Sequence, residues 1–221
     1  MQLLNLQVPP QETAILSNIP LKHERFNDGY LIPSLGTDEW DGHIYIAGAT
    51  GAGKSYLIKQ IVLHDEKKRD IIVFSDLEYD ESFKELYETG LVMTPEQALR
   101  LDPIEPYKDK IIIFDDCTKA DIMNLRDHLL EKGRHKNSVV ICVNHKLREW
   151  KATMKPLNES RYIIMFPTAN VMSDVKFLDS MGMNRKVRDS IIQLSNEDGR
   201  YLIYHQFRPN ALITQRTIIY I

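Results

Sequence analysis

Gly48-Ala-Thr-Gly-Ala-Gly-Lys-Ser55, or GATGAGKS, fits the pattern G-x-x-x-x-G-K-[ST]. The residues before it, His43 to Ala47 (HIYIA), read as a short buried strand. The stretch after it, YLIKQIVLHDEKK, keeps Leu57, Ile58, Ile61 and Val62 at helical spacing. Strand, glycine-rich turn and helix are the context in which this pattern binds phosphate. Gly48, Gly51 and Gly53 let the backbone aim N–H groups inward, and a helix starting near Gly53 adds its positive end. The whole run Gly48, Ala49, Thr50, Gly51, Ala52, Gly53, Lys54, Ser55 and Tyr56 is the expected cofactor-binding segment. Within it, Lys54 would reach the β- and γ-phosphate oxygens of ATP and Ser55 would hold Mg²⁺.

Working outward, the chain punctuates itself into alternating elements. Asp70–Ser75 (DIIVFS) and Asp109–Cys117 (DKIIIFDDC) are apolar on both faces, as strands covered on both sides must be. A helix is expected from about Lys119 to Lys132 with its stop at Gly133. Ser138–Asn144 (SVVICVN) reads as another buried strand. HKLREWKATMKPLNES reads as a charged connection leading to the strand RYIIMFP, which Pro167 halts. Two helices are expected near Asn170–Met181 and Arg185–Leu194. RYLIYHQF and LITQRTIIYI read as a final antiparallel pair joined around Pro209-Asn210. The acidic LEYDESFKELYETG is expected to turn helical in its second half, and MTPEQALRL to form a short helix capped by Thr94.

Such alternation predicts an α/β fold: a mostly parallel central sheet flanked by helices, with antiparallel strands at the C-terminal end. At 221 residues, with 43% hydrophobic and 27% charged residues, a single domain of ordinary globular composition is expected over 1–221. Residues 1–40 read as an N-terminal extension packed on a catalytic core of 42–221. No apolar run approaches transmembrane length and no signal peptide is expected. Cys117 and Cys142 lack metal-ligand or redox spacing and read as core residues of a protein in a reducing, intracellular compartment. The net charge of −3 is unevenly spread. Residues 65–109 carry 13 Asp/Glu against 6 Lys/Arg, whereas 126–161 carry 9 Lys/Arg against 4 Asp/Glu, a distribution that permits a basic face for a polyanion.

Several residues could serve chemistry around a bound phosphate chain. Asp115, at the end of IIIF-Asp, is the expected Mg²⁺ partner, because a carboxylate there needs a cation or donors. Asp116 occupies the position from which a carboxylate polarises the attacking water, one methylene shorter than the usual Glu. The γ-phosphate sensor is expected at the end of SVVICV, with Asn144 preferred and His145 second. Arg134 in GRHKN is the first choice for an arginine finger supplied by a neighbouring subunit, and Arg161 the second. The segment 145–156, with Lys146, Arg148, Lys151 and Lys155, is expected to be a loop that touches the phosphates of a polyanion without reading sequence.

Taken together, GATGAGKS, IIIFDDC, EKGRHKNSVVICVNH and RYIIMFPTANVMSDVKFLDSMGMN resemble the genome-packaging ATPases of double-stranded DNA viruses, the poxvirus-type members of the FtsK/HerA superfamily. The resemblance spans roughly residues 42–221. It implies a P-loop NTPase with an additional catalytic strand, assembling as a ring, usually a hexamer, with ATP at subunit interfaces and DNA through the centre. It implies an ATP-driven motor that packages a genome into a preformed capsid, with capsid-vertex or inner-membrane proteins of a virion as partners, working in the virion or the host cytoplasm. The chain departs from the family where Asn144-His145 stands in place of the common Gln. A HerA-like DNA-processing translocase, a nucleoside or nucleotide kinase, and a non-hydrolysing nucleotide-binding assembly module remain alternatives at the level of sequence.

Overall fold

The computed structural model describes residues 2–4, 15–26, 29–36, 41–75, 84, 91–92, 105–147, 150–167, 172–207 and 210–221. Apart from the single helical residue Lys84, the helices expected within LEYDESFKELYETG and MTPEQALRL lie outside the described residues, as do the side chain of Lys151, all of Arg148, and Thr168 to Asn170.

In chain order the strands are β1 (Gln2–Leu4), β2 (His23–Arg25), β3 (Tyr30–Ile32), β4 (Ile44–Ala47), β5 (Asp70–Ser75), β6 (Leu91–Val92), β7 (Lys110–Asp115), β8 (Val139–Asn144), β9 (Tyr162–Met165), β10 (Leu202–His205), β11 (Ala211–Ile213) and β12 (Thr217–Tyr220). The helices are α1 (Lys54–Leu63), α2 (Ala120–Lys132), α3 (Trp150–Glu159), α4 (Met172–Ser180) and α5 (Arg185–Asp198). Among the described residues, ten strands form one sheet in the order β2-β12-β11-β10-β9-β4-β8-β7-β5-β6. From β9 through β6 every pairing is parallel, and from β9 to β10 and on to β2 every pairing is antiparallel. The expected α/β architecture is borne out. β8 lies between the P-loop strand β4 and the carboxylate strand β7, which is the additional strand read from the sequence.

Alternate residues of the parallel strands feed two cores. Ile44, Ile46, Ile111, Ile113, Ile141, Val143 and Ile164 pack with Leu57, Ile58, Ile61 and Val62 of α1. Tyr45, Ile112, Phe114, Val140, Cys142 and Met165 pack instead with residues of α2 to α5, including Ile122, Leu129, Leu157, Leu178 and Leu194. Each such side chain removed from water contributes about 1.5–3 kcal/mol, which is why apolar runs without alternation form strands covered on both faces. Residues 23–25 are built into the sheet edge, where β2 pairs with β12. Arg25 donates to the fully buried carboxylate of Asp198 at 2.8 Å, and Thr214 and Thr217 donate to the same group.

One local expectation holds with a difference in geometry, and two need correction. α2 ends at Lys132 with Gly133 as its C-cap, as expected, but the Gly133 backbone is right-handed and a 3₁₀ turn continues over Gly133–Lys136. The left-handed residue that ends the run is Asn137 (φ 57°), and Asn tolerates that conformation better than most. LITQRTIIYI is two strands, β11 and β12, folded on each other through a tight turn in which Thr214 N–H donates to Thr217 O at 2.9 Å. The connection HKLREWKATMKPLNES contains the ten-residue helix α3, with Pro156 inside it.

Candidate nucleotide site at the C-terminal ends of the parallel strands

β4 ends at Ala47, and the chain turns through the glycine-rich loop into α1. Gly51 (φ 76°) and Gly53 (φ 104°) take left-handed conformations that a side chain would strain. Gly53 is the N-cap of α1 and no side chain caps it, so the first-turn N–H groups are left for an anion. Gly48 is needed for a different reason: a Cβ there would lie 2.8 Å from Cβ of Phe166, just after β9. Lys54 is buried, and its ammonium donates to the loop's own carbonyls, Gly48 O at 2.8 Å and Ala49 O at 3.2 Å. The ammonium is thereby held at the rim of the loop it serves. Ala49, Thr50, Gly51 and Tyr56 are exposed, while Ala52, Gly53 and Ser55 are half-buried. This cradle fits the phosphate chain of a nucleotide.

β7 and β8 deliver the remaining groups to the same end of the sheet. Asp115, half-buried, follows Ile113 on the α1 side and is level with Ser75 of β5 and Val143 of β8. Asp116 turns out of the strand in a left-handed conformation (φ 47°), with its N–H on Val143 O at 3.1 Å. Its carboxylate meets His145 Nε2 at 2.8 Å, and His145 Nδ1 lies 3.5 Å from the Lys54 ammonium. Partial burial pushes the Asp116 carboxyl above its ordinary pKa, against the opposing pull of His145 and Lys54. Asn144, the first choice for the sensor, ends β8 with its carbonyl accepting from Gly48 N–H at 3.1 Å. The side chain brought against Lys54 is that of His145. The parity of β8 could have revealed this: Ile141 and Val143 face α1, so the next residue on that side is 145.

Among the described residues, no group of three or more His, Cys, Asp or Glu side chains could hold a metal ion on its own. Ser55 and Asp115 carry only three side-chain oxygens between them, so a Mg²⁺ ion there would need phosphate oxygens and water to complete six.

Arg134 and Arg161 lie elsewhere. Both precede their strands, at the N-terminal ends of β8 and β9, separated from the phosphate loop by the length of β4, about 13 Å at ~3.3 Å per residue. The Arg161 guanidinium donates to Asp41 O at 2.7 Å and covers the Phe207 ring at 5.2 Å. Arg134 is exposed on the rim of a cavity shared with Asp41, Gly42, Lys67 and Asn137, and makes no ion pair among the described residues. Lys146 is exposed, and its carbonyl accepts from Tyr45 Oη at 2.8 Å. Lys155 lies on α3 and is ion-paired to Glu131 of α2, so the second half of the expected loop is a helix docked on its neighbour. Cys117 and Cys142 are free thiols, and burial pushes that of Cys142 up to about 12.

A P-loop strand, an inserted strand beside it and a carboxylate strand beyond define a P-loop NTPase core. A family model described as the viral superfamily 1 RNA helicase core domain matches residues 44–143, from β4 through β8. The Sputnik virophage protein V3, itself uncharacterized, is 29% identical over 168 residues, which are 69% of this chain and 67% of V3. The genome-packaging NTPase B204 of Sulfolobus turreted icosahedral virus 2, in complex with sulfate, superposes with a TM-score of 0.53 at 16% identity, over 79% of this chain and 97% of B204. The conjugation coupling protein TcpA of pCW3 superposes at 0.52 with 16% identity, over 81% of this chain and 60% of TcpA. The chain therefore shares the fold of B204 and TcpA, and the P-loop α/β architecture implied by the resemblance read from its motifs is borne out at the level of the fold. No described helix is long and apolar enough to cross a membrane.

Proposed function

We propose that the chain is an ATP-hydrolysing motor that translocates double-stranded DNA and packages a viral genome into a preformed capsid. The observation that carries this is His145 of the inserted-strand end, set between the P-loop lysine and Asp116. Phosphate held by the loop would lie beside a polar pair able to register its presence. The match to B204 over nearly that whole protein supports the packaging assignment among FtsK/HerA-type uses of this fold.

In this reading Lys54 neutralises the β- and γ-phosphate oxygens, and Ser55 and Asp115 hold Mg²⁺. Asp116, oriented by His145, positions the attacking water. Arg134 lies too far along the sheet to meet phosphate held by its own chain, but its exposure suits service to a neighbour in a ring of subunits, with a hexamer as the expected number. Lys146 remains the described cation best placed for DNA phosphates. Capsid-vertex or inner-membrane proteins of the virion would anchor the ring.

Steady-state ATP hydrolysis with and without linear double-stranded DNA, at low and moderate salt, tests the proposal. Salt-sensitive stimulation by DNA of any sequence is expected. Turnover indifferent to DNA but raised by a nucleoside acceptor would replace the motor with a kinase. The helicase-core match favours a second reading in which the same core tracks RNA, and stimulation by RNA in preference to DNA would select it. Arg134→Ala should leave ATP binding intact and cut turnover by roughly a hundredfold or more. Mixing it with Lys54→Ala subunits should recover activity, and no recovery at any ratio would count against a finger acting in trans.

A further inference from the structure

Beside the phosphate loop runs a row of aromatic rings that phosphate chemistry does not explain. Phe166 begins it: its ring comes within 3.7 Å of where a Gly53 Cβ would stand. Tyr201, just before β10, meets Phe166 edge to face with ring centroids 5.9 Å apart. The Tyr201 hydroxyl donates to Leu31 O at 2.7 Å, which ties it to β3 of the N-terminal segment. Tyr30 of the same strand interacts through its hydroxyl with Tyr56 of α1, and burial together with that neighbour raises the Tyr30 pKa to about 12. The row thus passes from buried Phe166 and Tyr201 through half-buried Tyr30 to Tyr56, which is 63% exposed.

A nucleotide whose phosphates lie in Gly48–Ser55 must place its sugar and base outside the loop. Tyr56 directly follows Ser55 in the first turn of α1, the turn whose N–H groups have no side-chain cap. An exposed aromatic continuous with an anion cradle is what a nucleobase needs for stacking, and its hydroxyl is steadied by Tyr30. A single exposed tyrosine would ordinarily call for no explanation. Here the position after Ser55 and the hydroxyl partner on another element both point to a ligand face.

We propose that Tyr56, steadied by Tyr30, is the platform on which the base of the bound nucleotide stacks. The N-terminal segment, through β3, is then part of the nucleotide site and not only a cover for α1. Stacking of this kind tolerates any base, so the platform adds affinity for nucleoside triphosphates over bare phosphate chains without choosing adenine over guanine. The inference rests on the phosphate-site reading of Gly48–Ser55, and its test separates the two.

The test is calorimetric binding of MgATP and of magnesium tripolyphosphate to the full chain and to Tyr56→Ala, Tyr56→Phe and Tyr30→Phe. Tyr56→Ala is expected to weaken MgATP roughly tenfold while leaving tripolyphosphate affinity unchanged. Tyr56→Phe keeps the ring and should retain most of the affinity, and Tyr30→Phe should cost a smaller factor than Tyr56→Ala. Equal weakening of both ligands in Tyr56→Ala would make Tyr56 a support of the loop and overturn the platform. Unchanged MgATP binding would place the base elsewhere, with the same result. A wild-type chain that binds neither ligand would instead overturn the phosphate site beneath it.

Discussion

At the N-terminal ends of the parallel strands, Arg69 directs all five guanidinium N–H groups to protein oxygens, those of Asp41, Asp65 and the Asn137 carbonyl, over 2.7–3.4 Å. At the opposite ends, the Lys54 ammonium rests on two loop carbonyls and faces a histidine, and the first turn of α1 has no side-chain cap. Both ends hold buried cations, but only one of them matches each cation with carboxylates. Burial alone would raise the Asp41 carboxyl, yet Arg69 and Lys67 prevail and hold it below its ordinary pKa. Asp116 shows the reverse outcome: burial outweighs His145 and Lys54, and its carboxyl is raised. A network closed on itself gives stability and has little left to offer a ligand. Polar groups left short of partners are costly to the fold, and they concentrate where a ligand completes them. Parallel sheets with helices on both faces favour that second condition at the carboxyl ends of their strands.

If the two ends divide labour in this way, substitutions should separate activity from stability. Lys54→Ala should abolish ATP turnover, since it removes the charge that meets the β/γ-phosphates, while the urea midpoint barely moves. Near-normal hydrolysis in that variant would break the comparison outright. Arg69→Ala should do the opposite. It strands Asp65 without its main cation, so urea unfolding should report a loss of about 3–5 kcal/mol, with nucleotide binding per folded molecule retained.

The smallest effect expected is a pH dependence at the N-terminal ends of the strands. His43 is fully buried, and its Nδ1 accepts from Val140 N–H at 2.9 Å. Burial, helped by the Arg134 charge, pushes its pKa from 6.5 down to about 4. The folded chain therefore resists a proton that the unfolded chain accepts. The contribution is complete above pH ~6.5 and falls as pH drops toward ~4, by roughly 3 kcal/mol in all. Urea midpoints of the wild type and His43→Gln across that window should converge as the pH falls. Parallel curves would remove His43 from the account.

Legibility along the chain followed the strength of the local signal. β4, β5, β7 and β8 are apolar on both sides, and such runs have one low-energy outcome in an α/β protein. α3 was missed for an equally physical reason. The described residues it buries at helical spacing are Thr153, Pro156 and Leu157, so the spacing is present but the apolar stripe is thin. Pro156 lies inside the helix, where proline is disfavoured. The turn between β11 and β12 lacks glycine and proline, and is closed by Thr214 and Thr217 with Asp198, residues brought together only by the fold.

The sequence by itself determined the phosphate loop, the alternation of strands and helices, and the carboxylates at the end of β7, because each depends on neighbours within a few residues. Strand parity already favours His145 over Asn144, but only the tertiary structure brought that ring to Lys54, and it alone decided that Arg69 closes a network drawing on Asp41 and Asn137. It also decided that Tyr30 comes from the first forty residues to meet Tyr56. Each of these is a contact between distant segments, and a contact of that kind is fixed only when the sheet has set the order of its strands and the face to which each side chain points.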